Sequence, residues 1–302
     1  MDTFSRRDFL VAQAAAAAVM LTTGSGFAAE SAKQRLRWPV CLFVKFLQSL
    51  SFADLARTVS EMGFQGIEAT VRTGGQILPE QAVDELPQLV AALQTRQLEV
   101  TIMASSINRA DQPLTEPVLR TAAKLGIKRY RMDYYRYDLS QPVALQLENF
   151  KSMVKDLAAL NRELGIQAIY QNHSGARFVG ASVWDLHFLL DGIPREQIGI
   201  AYDTQHAAVE SGLSWPVLWN LVQPHLAAVY VKNAKWNGRS VQGIPLSEEG
   251  AMDPRIFSIM KKSLFQGPVS LHVEYLPKGT VAENLAAIRA DYQTLQSLLK
   301  TA

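Results

Sequence analysis

Three stretches of this chain place acid, base and cationic groups directly behind apolar runs, where chemistry can use them. Asp203-Thr204-Gln205-His206 follows the run 198–202 and sets a carboxylate and an imidazole three residues apart. Such a pair can converge on one metal ion or one substrate hydroxyl. The alternative is that Asp203 caps a following helix while His206 packs. In Leu271-His272-Val273-Glu274 the polar residues alternate with apolar ones, so His272 and Glu274 share one face of an extended strand. A carboxylate facing an interior needs a cation or hydrogen bonds, and an ion pair with a neighbour such as Lys232 is the structural alternative. Tyr170-Gln171-Asn172-His173-Ser174-Gly175 is dense in hydrogen-bonding groups. A turn explains its Ser-Gly end but not the first three polar side chains. Lys45, Arg72 and Arg131 follow or end other apolar runs and suit anions or sugar oxygens. Trp236 is an aromatic surface for a sugar ring. Glu274, His206 and Lys232 are therefore the expected catalytic groups. Lys45, Arg72, Arg131, Gln171, Asn172, His173, Trp236 and His272 are the expected substrate contacts, and Asp203, Glu274 and His206 the expected metal set.

The elements that must position these groups alternate along the chain. β-rich runs at 39–44, 66–71, 98–103, 128–132, 167–170, 198–202, 227–231 and 269–273 are separated by segments of helical period. The helical segments are 52–62, 79–95, 116–125, 143–164, 183–190, 215–222 and 254–263, with a last one at 282–299. Gly63, Gly126 and Gly165 mark helix ends. Eight such units predict an α/β fold, a closed (β/α)8 TIM barrel whose working groups lie at the C-terminal strand ends. An open doubly wound sheet is the runner-up, but no glycine cluster follows the first strand. Residues 235–253 read as the longest connection without structure and as a candidate active-site loop.

The 302 residues carry 30 basic and 28 acidic side chains, a formal charge of +2, without a basic stripe. Nucleic acid is thus not an expected partner. Cys41 is the single cysteine, which rules out an intrachain disulfide and reads as a buried small hydrophobe. Residues 1–29 read as an export signal. Ser5-Arg6-Arg7-Asp8-Phe9-Leu10 precedes an alanine-rich apolar stretch, and Gly24-Ser25-Gly26-Phe27-Ala28-Ala29 supplies small residues for cleavage near Ala28 or Ala29. That stretch is too short and too weakly apolar for a membrane anchor. The expectation is a periplasmic barrel of residues 30–302, delivered by the twin-arginine export machinery. Its oligomeric state is left open.

Together these residues resemble the sugar phosphate isomerase/epimerase superfamily, the xylose-isomerase-like barrels. The likeness runs from about Trp38 to Leu299. Its closest form is an exported bacterial subgroup, through Val71-Arg72-Thr73-Gly74-Gly75-Gln76, Gln171-Asn172-His173-Ser174-Gly175, Pro245-Leu246 with Gly250, and Gly267-Pro268 before His272-Val273-Glu274-Tyr275. The resemblance implies a divalent ion, Mn or Zn, held by Glu, Asp, His and Glu from the last four strands. Carried over, the Asp falls at Asp203 and the final Glu at Glu274. The first Glu falls at Gln171 and the His at or near Tyr230, so two usual ligands are altered. The implied activity is an isomerase or epimerase moving a proton next to a carbonyl of a small carbohydrate. Alternatives are a keto-glycoside lyase or hydrolase, and a non-catalytic carbohydrate-binding or partner protein on a degenerate barrel. Metal-dependent DNA repair, also known among these barrels, is disfavoured by the missing histidines and basic surface.

Overall fold

A computed structural model describes residues 37–301 of the chain. The export signal expected at 1–29 lies outside the described residues. In chain order the strands are β1 (Val40–Phe43), β2 (Gly66–Val71), β3 (Glu99–Ser105), β4 (Arg129–Arg131), β5 (Gln167–Gln171), β6 (Ile198–Asp203), β7 (Leu226–Val231), β8 (Asn233–Asn237), β9 (Ser240–Ile244) and β10 (Val269–Leu271). Strands β1 to β7 and β10 close into one barrel, β1-β10-β7-β6-β5-β4-β3-β2, each neighbour parallel to the next. The (β/α)8 expectation is met.

The helices between them are α1 (Phe52–Met62), α2 (Ala82–Gln94), α3 (Thr115–Lys124), α4 (Val143–Leu164), α5 (Val183–Leu190), α6 (Thr204–Ser211), α7 (Trp215–Val222), α8 (Arg255–Lys262) and α9 (Val281–Thr301). Local signals account for their ends. Ser51 Oγ accepts from Asp54 N at 3.1 Å to open α1, and Gly63, at φ 87°, closes it in the left-handed region. Helix α6 is the one that the alternative reading of Asp203 as a helix cap implies; it starts because Asp203 Oδ1 accepts from His206 N at 3.0 Å.

Residues 235–253 are not structureless, as the sequence reading had them. Their first part belongs to an antiparallel hairpin, β8 with β9, from Asn233↔Ile244 to Asn237↔Ser240. The two-residue loop opens on Gly238 at φ 60°, a conformation that hairpin turns require. Asn233 then ties down the return: its Nδ2 donates to Glu248 O at 2.8 Å, and its Oδ1 accepts from Met252 N at 3.2 Å.

Strand alternation sorts the side chains into two populations. Outward residues such as Val40, Leu42, Ile200 and Tyr202 join the large core packed under the helices. Inward residues Cys41, Ile102, Ile169, Ala201, Ala228 and Tyr230 form a separate small apolar cluster inside the barrel. Two residues further along β5 and β6 the inward positions become Gln171 and Asp203, both buried. Ala228 leads in the same way through Tyr230 to Lys232, and Ser270 through His272 to Glu274. A polar layer therefore lies directly on an apolar floor at the C-terminal end.

Candidate active site at the C-terminal end of the barrel

The centre of the polar layer is the ammonium of Lys232. Its Nζ lies 3.1 Å from Asp203 Oδ2, 3.1 Å from Glu274 Oε2 and 2.9 Å from His206 Nε2. An ammonium has three N–H donors, and here each has an acceptor. Lys45 Nζ donates to the other oxygen of Glu274 at 3.0 Å. Because Lys232 donates to Nε2 of His206, the ring proton belongs on Nδ1, which lies 2.8 Å from Ser174 Oγ.

A second network lies against the first. Glu68 is fully buried; it accepts from Ser270 Oγ at 2.7 Å and Tyr230 OH at 3.2 Å, and lies 3.3 Å from Arg131 Nε. His272 joins the two networks, with Nε2 3.0 Å from Glu68 Oε2 and Nδ1 3.6 Å from Glu274 Oε2. Gln171 also bridges them. Its Nε2 donates to Asp203 Oδ2 at 2.7 Å, while its Oε1 accepts from Arg131 Nη1 at 2.7 Å and from the Tyr134 hydroxyl. Only one orientation of the amide serves both ends.

Electrostatics follow from the pairing. Burial pushes the Asp203 carboxyl up, but His206 and Lys232 beside it outweigh burial and hold it at about 2. Glu68 is likewise pushed up by burial and brought down to about 2 by Arg131 and His272. Burial would raise Glu274 too, yet Lys232, His272 and Lys45 hold it well below the usual range. Burial would lower Lys232, but Asp203 and Glu274 raise it above the ordinary lysine value. His206 is driven well below the usual imidazole range by burial, with Lys232 adding to the effect. His173 is lowered by burial and Lys232. Near neutral pH the hub thus holds two carboxylates, one ammonium and a neutral His206 imidazole.

A cavity of 250 Å³ opens over this hub; Lys45, His173, His206, Lys232, His272 and Glu274 are among its lining residues. The hairpin contributes Gly243 and Ile244 to its wall. The Glu274 side chain is 26% exposed, whereas Asp203 and His272 are 0%, so Glu274 is the hub carboxylate that meets the cavity.

The expected residues divide accordingly. Glu274, His206, Lys232, Lys45, His173 and His272 come together at the cavity. Arg131, Gln171 and Asn172 are buried and do not line it. Asn172 pairs with the backbone of Asp203, accepting from its N at 2.7 Å and donating to its O at 3.2 Å. Arg72 is half-buried near the mouth, its guanidinium 5.8 Å over the Phe43 ring, without an ion pair among the described residues. Trp236 does not line this cavity: it lies on the hairpin in a separate cleft of 580 Å³ shared with Trp215 and Asp253. Both structural alternatives hold as well, since Asp203 does cap a helix and Glu274 does pair with Lys232. The sequence reading missed Tyr134 and Ser174. Ser270 had a signal, standing two residues before His272 on the same strand face.

A closed parallel barrel with convergent ionisable groups at its C-terminal end belongs to the TIM-barrel class. More narrowly, the chain belongs to the xylose isomerase-like TIM barrel family, whose profile matches residues 56–297. By sequence, no curated protein matches it. Among solved structures it is similar to the IOLI protein with a bound zinc atom, at 17% identity and TM-score 0.69, covering 87% of this chain and 98% of that one. It is similar to the 3-keto-D-glucoside 4-epimerase of E. coli in its apo form, at 15% identity and TM-score 0.64, covering 88% and 100%. A third is a probable 3-DHS dehydratase of Bacillus anthracis, at 14% identity and TM-score 0.67, covering 86% and 98%.

A zinc-bound relative makes a divalent ion a natural question here. The expected ligands do not fit one. Asp203, His206 and Glu274 all point at the Lys232 ammonium, and Gln171 presents an NH₂ donor to Asp203. Among the described residues no group of three or more His, Cys, Asp or Glu is arranged to hold a metal.

Proposed function

We propose that this protein is an enzyme of the sugar isomerase/epimerase kind, moving a proton at the carbon next to a carbonyl of a small carbohydrate or keto-glycoside. The observation that carries this reading is Glu274, a partly open carboxylate whose two oxygens each face a lysine ammonium. Glu274 takes the proton. The C–H electron pair becomes the new C=C bond as the carbonyl π pair moves onto oxygen. The N–H groups of Lys232 and Lys45 are the donors for that oxyanion. When a substrate oxygen replaces Glu274 on Lys232, Glu274 loses part of what holds its pKa down and becomes a better base at the moment it is needed. Delivery of the proton to the neighbouring carbon, with a proton passing between the two enediol oxygens, gives an isomer; delivery to the opposite face, which needs a second proton carrier, gives an epimer; departure of a group at the β carbon gives an elimination. His206, neutral and held by Ser174, keeps Lys232 in place, and Arg72, without an ion pair among the described residues, is a cation for substrate oxygens or a carboxylate. Family membership and the sugar epimerase among the similar structures support the substrate class.

Exchange in deuterated buffer tests the reading. With keto-glycosides and free ketoses, wild type should incorporate deuterium beside the carbonyl, and Glu274→Gln should lose about a thousandfold of that rate. Retention of more than about a tenth of it would remove Glu274 from the role of base. A non-catalytic sugar-binding barrel is the second reading, favoured by how completely the hub pairs with itself; sugar binding without exchange in wild type would establish it.

We also propose twin-arginine export to the periplasm, on the Arg6-Arg7 motif and the small residues Ala28 and Ala29. Replacing both arginines by lysine should leave precursor in the cytoplasm; normal maturation of that variant would mean the general secretory route.

A further inference from the structure

We propose that the Lys232 ammonium is the built-in cation of this barrel, occupying the point where a divalent metal would have to sit, so that the hub is closed to metals until Lys232 is shortened. Three acceptors from three places in the chain meet at Nζ: Asp203 at the end of β6, His206 on α6, and Glu274 beyond β10, at 3.1, 2.9 and 3.1 Å. They are a carboxylate, an imidazole nitrogen and a second carboxylate, the donor types that hold borderline divalent ions. The lysine spends all its donors on them, and its side chain is 9% exposed. Gln171 reinforces the arrangement. With Oε1 held by Arg131 and Tyr134, it turns a donor rather than a further anion toward Asp203. A metal entering the hub would face an ammonium at hydrogen-bond distance from each of the three groups it would need as ligands. Shortening Lys232 removes the charge and takes one donor away from each of the three acceptors together.

The inference shares Lys232 with the function proposed above, but its test needs no substrate, so the two can fail separately. The probe is Mn²⁺ alone, titrated into the full chain after chelator treatment. Free ion is followed by electron paramagnetic resonance and melting temperature by circular dichroism. Wild type should leave Mn²⁺ free up to about 1 mM, while Lys232→Ala should bind about one equivalent at least tenfold more tightly than that and melt higher with the ion present. Adding Asp203→Asn to Lys232→Ala should abolish the gain. Lys232→Ser, which is likewise short and uncharged, is the companion variant should the alanine protein fold poorly, and Gln171→Glu with Lys232→Ala should bind tighter still. One equivalent of Mn²⁺ on wild type, lost in Asp203→Asn, would overturn the proposal. So would a folded Lys232→Ala or Lys232→Ser protein that gains no Mn²⁺ over wild type.

Discussion

The two ends of the barrel differ in a way that volume alone would misjudge. At the N-terminal end a recess of 560 Å³ is lined by Lys128, Arg129, Gln167, Arg195 and Phe265, among others. The C-terminal cavity has less than half that space, 250 Å³. Yet the charges of the larger recess do not converge. Arg195 pairs with its own neighbour Glu196 at 3.3 Å, both exposed, and Arg129 Nε finds no hydrogen-bond partner. At the other end, Asp203, Glu274, His206 and Lys232 meet within hydrogen-bond distance of one atom. Convergence, not capacity, distinguishes a site that can stabilise a developing charge.

Substitutions at the two ends can break or sharpen this contrast. The largest effect after Glu274→Gln is expected from Asp203→Ala. It leaves a buried Lys232 with one acceptor fewer, uncaps α6 and removes the partner of Gln171, so unfolding free energy should fall by about 3–5 kcal/mol in a denaturant titration. Next comes acid. Glu68 and Asp203 sit at about 2 when folded against ordinary values of 4.5 and 3.8. Their stabilisation is in full force above those ordinary values and drains away as pH falls toward about 2, by up to about 3 kcal/mol each. Glu68→Gln should accordingly flatten the acid limb of stability against pH. Gln171→Glu is smaller, about 1–3 kcal/mol, because a carboxylate would meet Asp203 without its N–H donor; deuterium exchange should not improve. Arg129→Gln, at the larger recess, should leave exchange within about twofold of wild type. An effect there as large as at Glu274 would erase the distinction between the two ends.

Much of this was legible in the chain, and the reasons it failed elsewhere are physical. All eight barrel strands were recognisable as short runs between helical segments, seven of them largely apolar and β4, Arg129-Tyr130-Arg131, by its place in the alternation. Placing polar residues at their C-terminal ends found Asp203, Lys232, His272 and Glu274. What alternation cannot say is which of these meet. Lys232 was one strand-end cation among several until the closure of β6, β7 and β10 put it among residues 26 to 42 positions away. The hairpin was misread although Asn237-Gly238 stands at its turn, a strong hairpin signal. Trp236 therefore lies in the cleft beside the hairpin and not over the hub. Tyr134 lies in the connection after β4, where no periodicity marks direction, so its reach to Gln171 had no signature.

A lysine at the hub has one consequence that any bound ion would lack. An ion is a guest with a dissociation constant, exchangeable with whatever its surroundings contain. The Lys232 ammonium is tethered covalently to the end of β7, so it is present at unit stoichiometry from the moment the barrel closes and no chelator can withdraw it. The same tether limits it to a single positive charge and to three fixed directions of donation. A hub of that kind offers gentler polarisation than a divalent ion, and suits substrates whose own carbonyl already makes the neighbouring C–H bond weakly acidic.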